Sequence, residues 1–275
     1  MKEENMMIEL KLNDYYLVES FFTEKKQYIP ALSVIHGNFP GRVFVNQIHE
    51  PNIAIVWATG RWMYLEGNTK SDKDQVELNS FISDVVVPDC KQLNTSWFEI
   101  YTADVECWEA LFLGELHLLK VEKHYESVYT LNLEKYIENN NVTSSSLDDI
   151  KISLCEHEIL PRKLHDLSYV DQKFKTKTCP AVELRSGNEL ITICRNNGFV
   201  FLDEYFIDVD TFEEEQRGKG YARLAAIRLI DHLLKKRMIP LWETTHQNVP
   251  SHHLALKLGF EVKDSYPVYA FMLES

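Results

Sequence analysis

The feature that most constrains the fold is a hexapeptide, Arg217-Gly218-Lys219-Gly220-Tyr221-Ala222. It lies between an alternating run at 203–211 (DEYFIDVDT) and an amphipathic stretch at 221–237 (YARLAAIRLIDHLLKKR). The first has the two-residue period of a strand. The second has the period of a helix, with Arg223, Arg228, Asp231, His232 and Lys235 gathered on one side. The first N–H groups of such a helix have no intrahelical partner and can turn toward an anion, and two glycines let a ligand come close to the backbone. Glu213 to Glu215 before the helix, and Lys235, Lys236 and Arg237 at its end, follow the order its dipole favours.

The surroundings are regular. Strands are predicted at 180–185 (PAVELR) and 189–195 (ELITICR), with turns at Ser186-Gly187-Asn188 and Asn197-Gly198, so the strand at 203–211 completes a meander. Pro240 stops the helix, LWETT (241–245) reads as another strand, and PSHHLALKL (250–258) is a short helix with Gly259 as its C-cap. FEVKDSYPVYAFML then forms a closing β pair. The order is β-β-β-α-β-α-β, and it rules out two common phosphate loops. A Walker A loop needs Ser or Thr after its lysine, where this chain has Gly220. A dinucleotide fingerprint needs a third small residue, where this chain has Arg223, and it follows a βαβ unit rather than a meander.

The remaining pyrophosphate cradle resembles that of the GNAT N-acetyltransferase superfamily, whose pattern Q/R-x-x-G-x-G/A is met by Arg217, Gly220 and Ala222. Downstream, Asn248, Ser251, Ala255, Lys257, Leu258, Gly259 and Phe260 resemble the family's N-x-x-A/S…K-x-G-F helix. The resemblance covers roughly 147–275. It implies a mixed, mostly antiparallel α/β (α+β) sheet with flanking helices, and acetyl-CoA as co-substrate without a metal. Loop amides would hold the coenzyme pyrophosphate through Arg217, Gly218, Lys219, Gly220, Tyr221 and Ala222. Pantetheine would lie between splayed strands at 204–211 and 241–245, with Thr211 or Phe212 at its contacting end; Asn248 can hold a coenzyme amide or cap the next helix, and the family pattern favours the first. A backbone N–H on the first of these strands would polarise the acetyl carbonyl.

Attack on that carbonyl needs a deprotonated amine, and a carboxylate is the usual base. Glu243, five residues before Asn248, is the first candidate by the same resemblance. Asp208 follows, with Glu204 and Asp210 on the same face of the preceding strand by alternation. The family's general-acid tyrosine is replaced by Ala255, so the acid is unassigned. Water, Ser251, His252, Tyr266 and Tyr269 are its candidate donors, and Trp242 either faces the site or packs behind it. His246, His252 and His253 crowd together, but His252 and His253 point to different faces of a helix, so no metal site is expected.

Before the polar break at 138–149 (ENNNVTSSSLDD), residues 1–140 are expected to form a smaller mixed α/β lobe on the acceptor side, a degenerate half of the same fold, with 141–275 as the catalytic domain. Strands are predicted at 42–45, within 52–67 on either side of Thr59-Gly60, and at 128–136. Helices are predicted after Ser71, ending before Pro88, and at 102–116. Trp57, Trp62, Trp97 and Trp108 read as core or interface rather than pocket.

Charge bears on the partner. The chain of 275 residues carries 42 acidic and 29 basic side chains, most of the excess falling in 1–140. That opposes a nucleic-acid or anionic-membrane surface and favours a small cationic amine acceptor. Five cysteines without CxxC spacing read as free thiols, and the acidic start MKEENMMIELK is unlike a signal peptide, so a cytoplasmic protein is expected. The expected activity is N-acetyl transfer by direct attack of the amine. The alternative is a non-catalytic coenzyme A-binding regulatory module. Oligomeric state is open, a homodimer being one option.

Overall fold

The computed structural model describes residues 7–67, 72–103, 105–114, 119–140, 149–158 and 178–273. The chain divides into two units, Met1–Tyr125 with Tyr266–Ser275, and Glu126–Ser265. The polar break at 138–149, of which 141–148 lie outside the described residues, falls inside the second unit. Residues 126–140 belong with the second unit because Tyr136 is buried in its core, and the end of the chain belongs with the first because Tyr269 and Phe271 are buried there. The two units are nearly equal in length.

In the first unit, β1 (Ile8–Glu9), α1 (Ile29–Ile35), β2 (Gly41–Val45), β3 (Ile53–Ala58) and β4 (Trp62–Gly67) precede α2 (Asp72–Phe81), α3 (Val87–Gln92), β5 (Trp97–Tyr101) and α4 (Val105–Gly114). A 3₁₀ helix at Leu12–Phe22 was not foreseen, because its three-residue turn leaves no 3.6-residue period to detect. β1 to β4 are antiparallel neighbours, β5 runs parallel to β4, and Val268–Met272 pairs antiparallel with β5. The helix expected to stop before Pro88 continues through a π turn, Ile82–Val86, into α3. The widened turn accommodates a proline that lacks an N–H and crowds the preceding turn. Trp57 and Trp108 lie in this unit's core, whereas Trp97 is 46 % exposed.

The second unit holds the end of β6 (Leu119–Leu131), then α5 (Leu133–Asn140), β7 (Ile150–Glu158), β8 (Thr178–Ser186), β9 (Glu189–Phe201) and β10 (Glu204–Thr211). These are followed by α6 (Tyr221–Lys235), β11 (Ile239–Thr245), α7 (Val249–Leu258) and most of β12 (Phe260–Leu273). Its strands lie in the order β6-β11-β10-β9-β8-β7. Among the described residues only β10 and β11 pair in parallel, which gives the mostly antiparallel sheet expected. Ala225, Ala226, Leu229, Ile230 and Leu233 bury one face of α6 against that sheet. The helix ends before Pro240, where Arg237 adopts φ +60° and Met238 N–H donates to Leu233 O.

Three local expectations are corrected. Asn197-Gly198 is not a turn but part of a bulge within β9, where Asn196 Oδ1 accepts from Gly198 N–H at 2.8 Å. The strand at 128–136 stops at Leu131, because Asn132 Oδ1 accepts from Lys135 N–H at 3.1 Å and caps α5. The closing pair is the single strand β12.

Gly259 ends α7 at φ +94°, and a Cβ there would lie 2.5 Å from the Tyr136 backbone nitrogen. Gly259→Ala is therefore expected to cost about 3 kcal/mol or more, readable as a lower urea midpoint with the slope unchanged. A loss below about 1 kcal/mol would show that α5 and α7 separate readily.

Candidate active site

β10 and β11 are paired over four residues, from Glu204 with Ile239 to Ile207 with Trp242. Beyond that pair no ladder joins Asp208–Thr211 to Glu243–Thr245. The gap is a cleft of about 730 Å³, lined by both strand ends, the 216–223 turn and the first turns of α7. Because paired residues share a face and faces alternate, Ile207 and Trp242 point toward α6 and α7, into one apolar cluster with Leu229 and Leu258. One residue further on, Asp208 and Glu243 point to the opposite face, at the rim of the fork.

The wide end of the cleft is an anion site in form. Leu224 is the first residue of α6 whose N–H is paired, to Gly220 O at 3.0 Å, and no side chain caps the helix. The amides of Tyr221, Ala222 and Arg223 thus lack intrahelical partners. Gly218 and Gly220 have φ of +74° and +86°, and a Cβ on either would meet nothing within 4 Å. Glycine is required there by backbone conformation, and the open space lies where a ligand would approach. Arg217 Nε donates to Thr211 O at 3.2 Å and fixes the turn to the end of β10.

Of the residues singled out from sequence, Asp208, Thr211, Arg217, Gly218, Gly220, Tyr221, Ala222, Glu243 and Asn248 all line the cleft. Phe212 and Lys219 do not. Phe212 N–H is drawn to Ile191 O at 3.1 Å, and Lys219 Nζ donates to Gln216 Oε1 at 3.0 Å. Thr211, not Phe212, therefore occupies the end of the strand at the cleft. Asn248 Oδ1 accepts from Ser251 N–H at 3.2 Å and so caps α7, the second of its two expected uses. Gln216, Arg223, His253 and Lys257 were missed as lining residues. His253 and Lys257 stand one turn apart on α7, a spacing visible in the sequence.

The candidate bases differ in their surroundings. Asp208 and Asp210 flank one cation, with Arg195 Nε 3.9 Å from Asp208 Oδ2 and Nη2 3.7 Å from Asp210 Oδ2. Glu204 is buried at the paired end of β10, outside the cleft. Tyr266 and Tyr269 belong to the first unit, Tyr269 O–H donating to Glu109 Oε1 at 3.0 Å. Trp242 Nε1 donates to Ser251 Oγ at 3.0 Å and ties β11 to α7.

His246 Nε2 meets Ser127 Oγ and Ser265 Oγ at 3.0 and 2.9 Å, and His252 Nδ1 meets Tyr129 Oη, so protein hydroxyls occupy these imidazoles. Burial, followed by the neighbouring His246, lowers the His252 pKa. Elsewhere, Cys155, His157 and Glu183 bring ligand-type atoms within 4.8 Å of one another, but Arg185 Nε already donates to Glu183 Oε2 at 2.8 Å. Cys90, Cys155, Cys179 and Cys194 form no disulfide, and none lines the cleft. Among the described residues no helix is long and apolar enough to cross a membrane.

This arrangement, an anion-binding turn at the open end of two splayed parallel strands, is matched by a family model described as GNAT acetyltransferase over residues 19–269. The chain belongs to the GNAT acetyltransferase family. A GCN5-related N-acetyltransferase-like protein from Streptococcus suis shares its fold at TM-score 0.62 and 17 % identity, covering 94 % of this chain and 98 % of that one. A GNAT-family acetyltransferase from Colwellia psychrerythraea aligns at TM-score 0.52 and 15 % identity over 97 % and 98 % of the two chains. A tandem GNAT protein from the clavulanic acid biosynthesis pathway aligns at TM-score 0.59 and 9 % identity over 94 % and 92 %. Among curated proteins no sequence matches. In each unit three antiparallel strands, a helix, a strand parallel to the third and a further helix follow in turn. In the first unit, however, pairing of β4 with β5 ends at Tyr64 with Tyr101, and Glu66 bridges the fork beyond. Its Oε1 accepts from Ala103 N–H at 2.8 Å and from Tyr28 O–H.

Proposed function

We propose that the protein is an acetyl-CoA-dependent N-acetyltransferase whose acceptor is a small cationic amine in the cytoplasm. The observation that carries this reading is the fork between β10 and β11 with unpaired α6 amides at its open end. A pantetheine arm supplies the backbone polar groups that the parted strands lack, and a pyrophosphate supplies the anion that the α6 terminus favours. The cleft is also bipolar. Arg217, Arg223 and Lys257 are its cations, and Asp208, Asp210 and Glu243 are its carboxylates on the strands. A polyanionic donor and a cationic acceptor fit its two charge groups.

In this reading bound acetyl-CoA supplies an activated acyl group. Glu243 takes a proton from the acceptor ammonium, directly or through a water, so that the amine nitrogen bonds the acyl carbon as the carbon–sulfur bond breaks. A backbone N–H at the parted end of β10 holds the carbonyl oxygen. No covalent link to the protein forms.

The test is a thiol-release assay with acetyl-CoA across polyamines, aminoglycosides, amino acids and peptide N-termini. Release stimulated by di- or polycationic amines, with the acetylated product identified by mass, is the expected result. Release with neutral amines alone would remove the cationic acceptor. Coenzyme binding without release from any amine would assign the protein to the regulatory class, for which Ala255, a fully buried methyl group, is the structural argument.

A further inference from the structure

The cleft has a fixed inner end as well as an anion-binding outer one. From Thr211 back to Ile207, β10 runs about 13 Å, and the fork between it and β11 closes where Ile207 pairs with Trp242. Whatever extends inward from a pyrophosphate held at the α6 amides ends against these two residues. Trp242 has the bulkiest side chain in the cleft lining, yet it is only 2 % exposed. Its indole is held on three sides. Nε1 donates to Ser251 Oγ at 3.0 Å, the Phe260 ring lies 5.7 Å away at a tilt of 53°, and the remaining contacts join an apolar cluster with Ala255 and Leu258. An aromatic side chain anchored by both a hydrogen bond and close packing does not swing aside to admit extra methylenes.

We infer that Trp242 is the residue that limits the acyl chain of the donor, admitting acetyl and excluding chains of four carbons or more. The inference rests on the coenzyme reading above and deepens it, since the chemistry of transfer is the same for any acyl thioester and only the wall of the fork selects its length. Pockets discriminate about 10- to 200-fold per methylene. Ile207, the other residue of the closing pair, is 4 % exposed and offers a smaller obstacle.

Calorimetric titration of the full-length protein with coenzyme A, acetyl-CoA, butyryl-CoA and hexanoyl-CoA tests this without knowledge of the acceptor. Coenzyme A and acetyl-CoA should bind within about threefold of each other, and hexanoyl-CoA at least about tenfold more weakly. In Trp242→Ala the ratio of hexanoyl-CoA to acetyl-CoA affinity should rise at least about tenfold, whatever the variant's affinity for acetyl-CoA. Should circular dichroism show that this variant does not fold, Trp242→Leu, which keeps apolar packing, should shift the ratio in the same direction by a smaller factor. Equal binding of hexanoyl-CoA and acetyl-CoA by the wild type, or an unchanged ratio in a folded variant, overturns the inference and leaves the coenzyme site standing. Failure of coenzyme A itself to bind overturns both.

Discussion

Glu243→Gln is expected to lower the rate of acyl transfer by about 10²- to 10⁴-fold while leaving acetyl-CoA affinity within a few-fold of wild type. Glu243 stands one residue past the last paired position of β11, on the face opposite α6 and α7. There it lines the cleft and faces away from the helix whose amides form the anion site, so its loss should act on the proton and not on the coenzyme. Glutamine keeps the shape and removes the basicity. The rising limb of the pH–rate profile should flatten in the variant, and pre-deprotonated acceptors at high pH should recover part of the rate. Asp208→Asn should cost less than about tenfold, because Arg195 already pairs with Asp208 and Asp210. A Glu243→Gln enzyme with wild-type turnover and an unchanged pH profile would transfer the role to Asp208 or to solvent.

Gly220→Glu should weaken acetyl-CoA binding by on the order of 100-fold, equivalent to about 2.7 kcal/mol, with only a modest effect on folding. The residue sits at φ +86°, so any side chain costs about 1–2 kcal/mol of backbone strain, yet its Cβ would meet nothing within 4 Å. The fold should therefore persist. The new carboxylate would stand at the N-terminus of α6 beside amides that await an anion, where it repels a pyrophosphate and can itself accept their hydrogen bonds. Equilibrium denaturation and calorimetry on the same sample separate the two effects. A folded Gly220→Glu protein that still binds acetyl-CoA normally would place the pyrophosphate elsewhere.

Much of the cleft was legible because its parts are local. Gly218, Gly220 and Gly259 mark positive φ, and alternation along 204–211 and 241–245 puts carboxylates on one face. Phe212 and Lys219 fall outside the cleft lining, because a pattern in sequence cannot show which way a turn folds back. The hydrogen bonds to Ile191 and Gln216 decide that. Asn197-Gly198 and Asn132 carry the same composition as turns, and only the partner strand and the following helix distinguish a bulge and a cap from them. The division between units was illegible for a similar reason. Nothing local in YPVYAFML tells that its register partner is β5, nor that Glu66 spans the first fork to Ala103.

The most direct test of the coenzyme reading is a calorimetric titration of the full-length wild-type protein with acetyl-CoA, with NADH as control. Micromolar binding at one site per chain, with no heat from NADH, is expected, the single site following from the fork that Glu66 bridges in the first unit. No binding of acetyl-CoA, or equal binding of NADH, would contradict the assignment of the β10–β11 fork as an acetyl-CoA site.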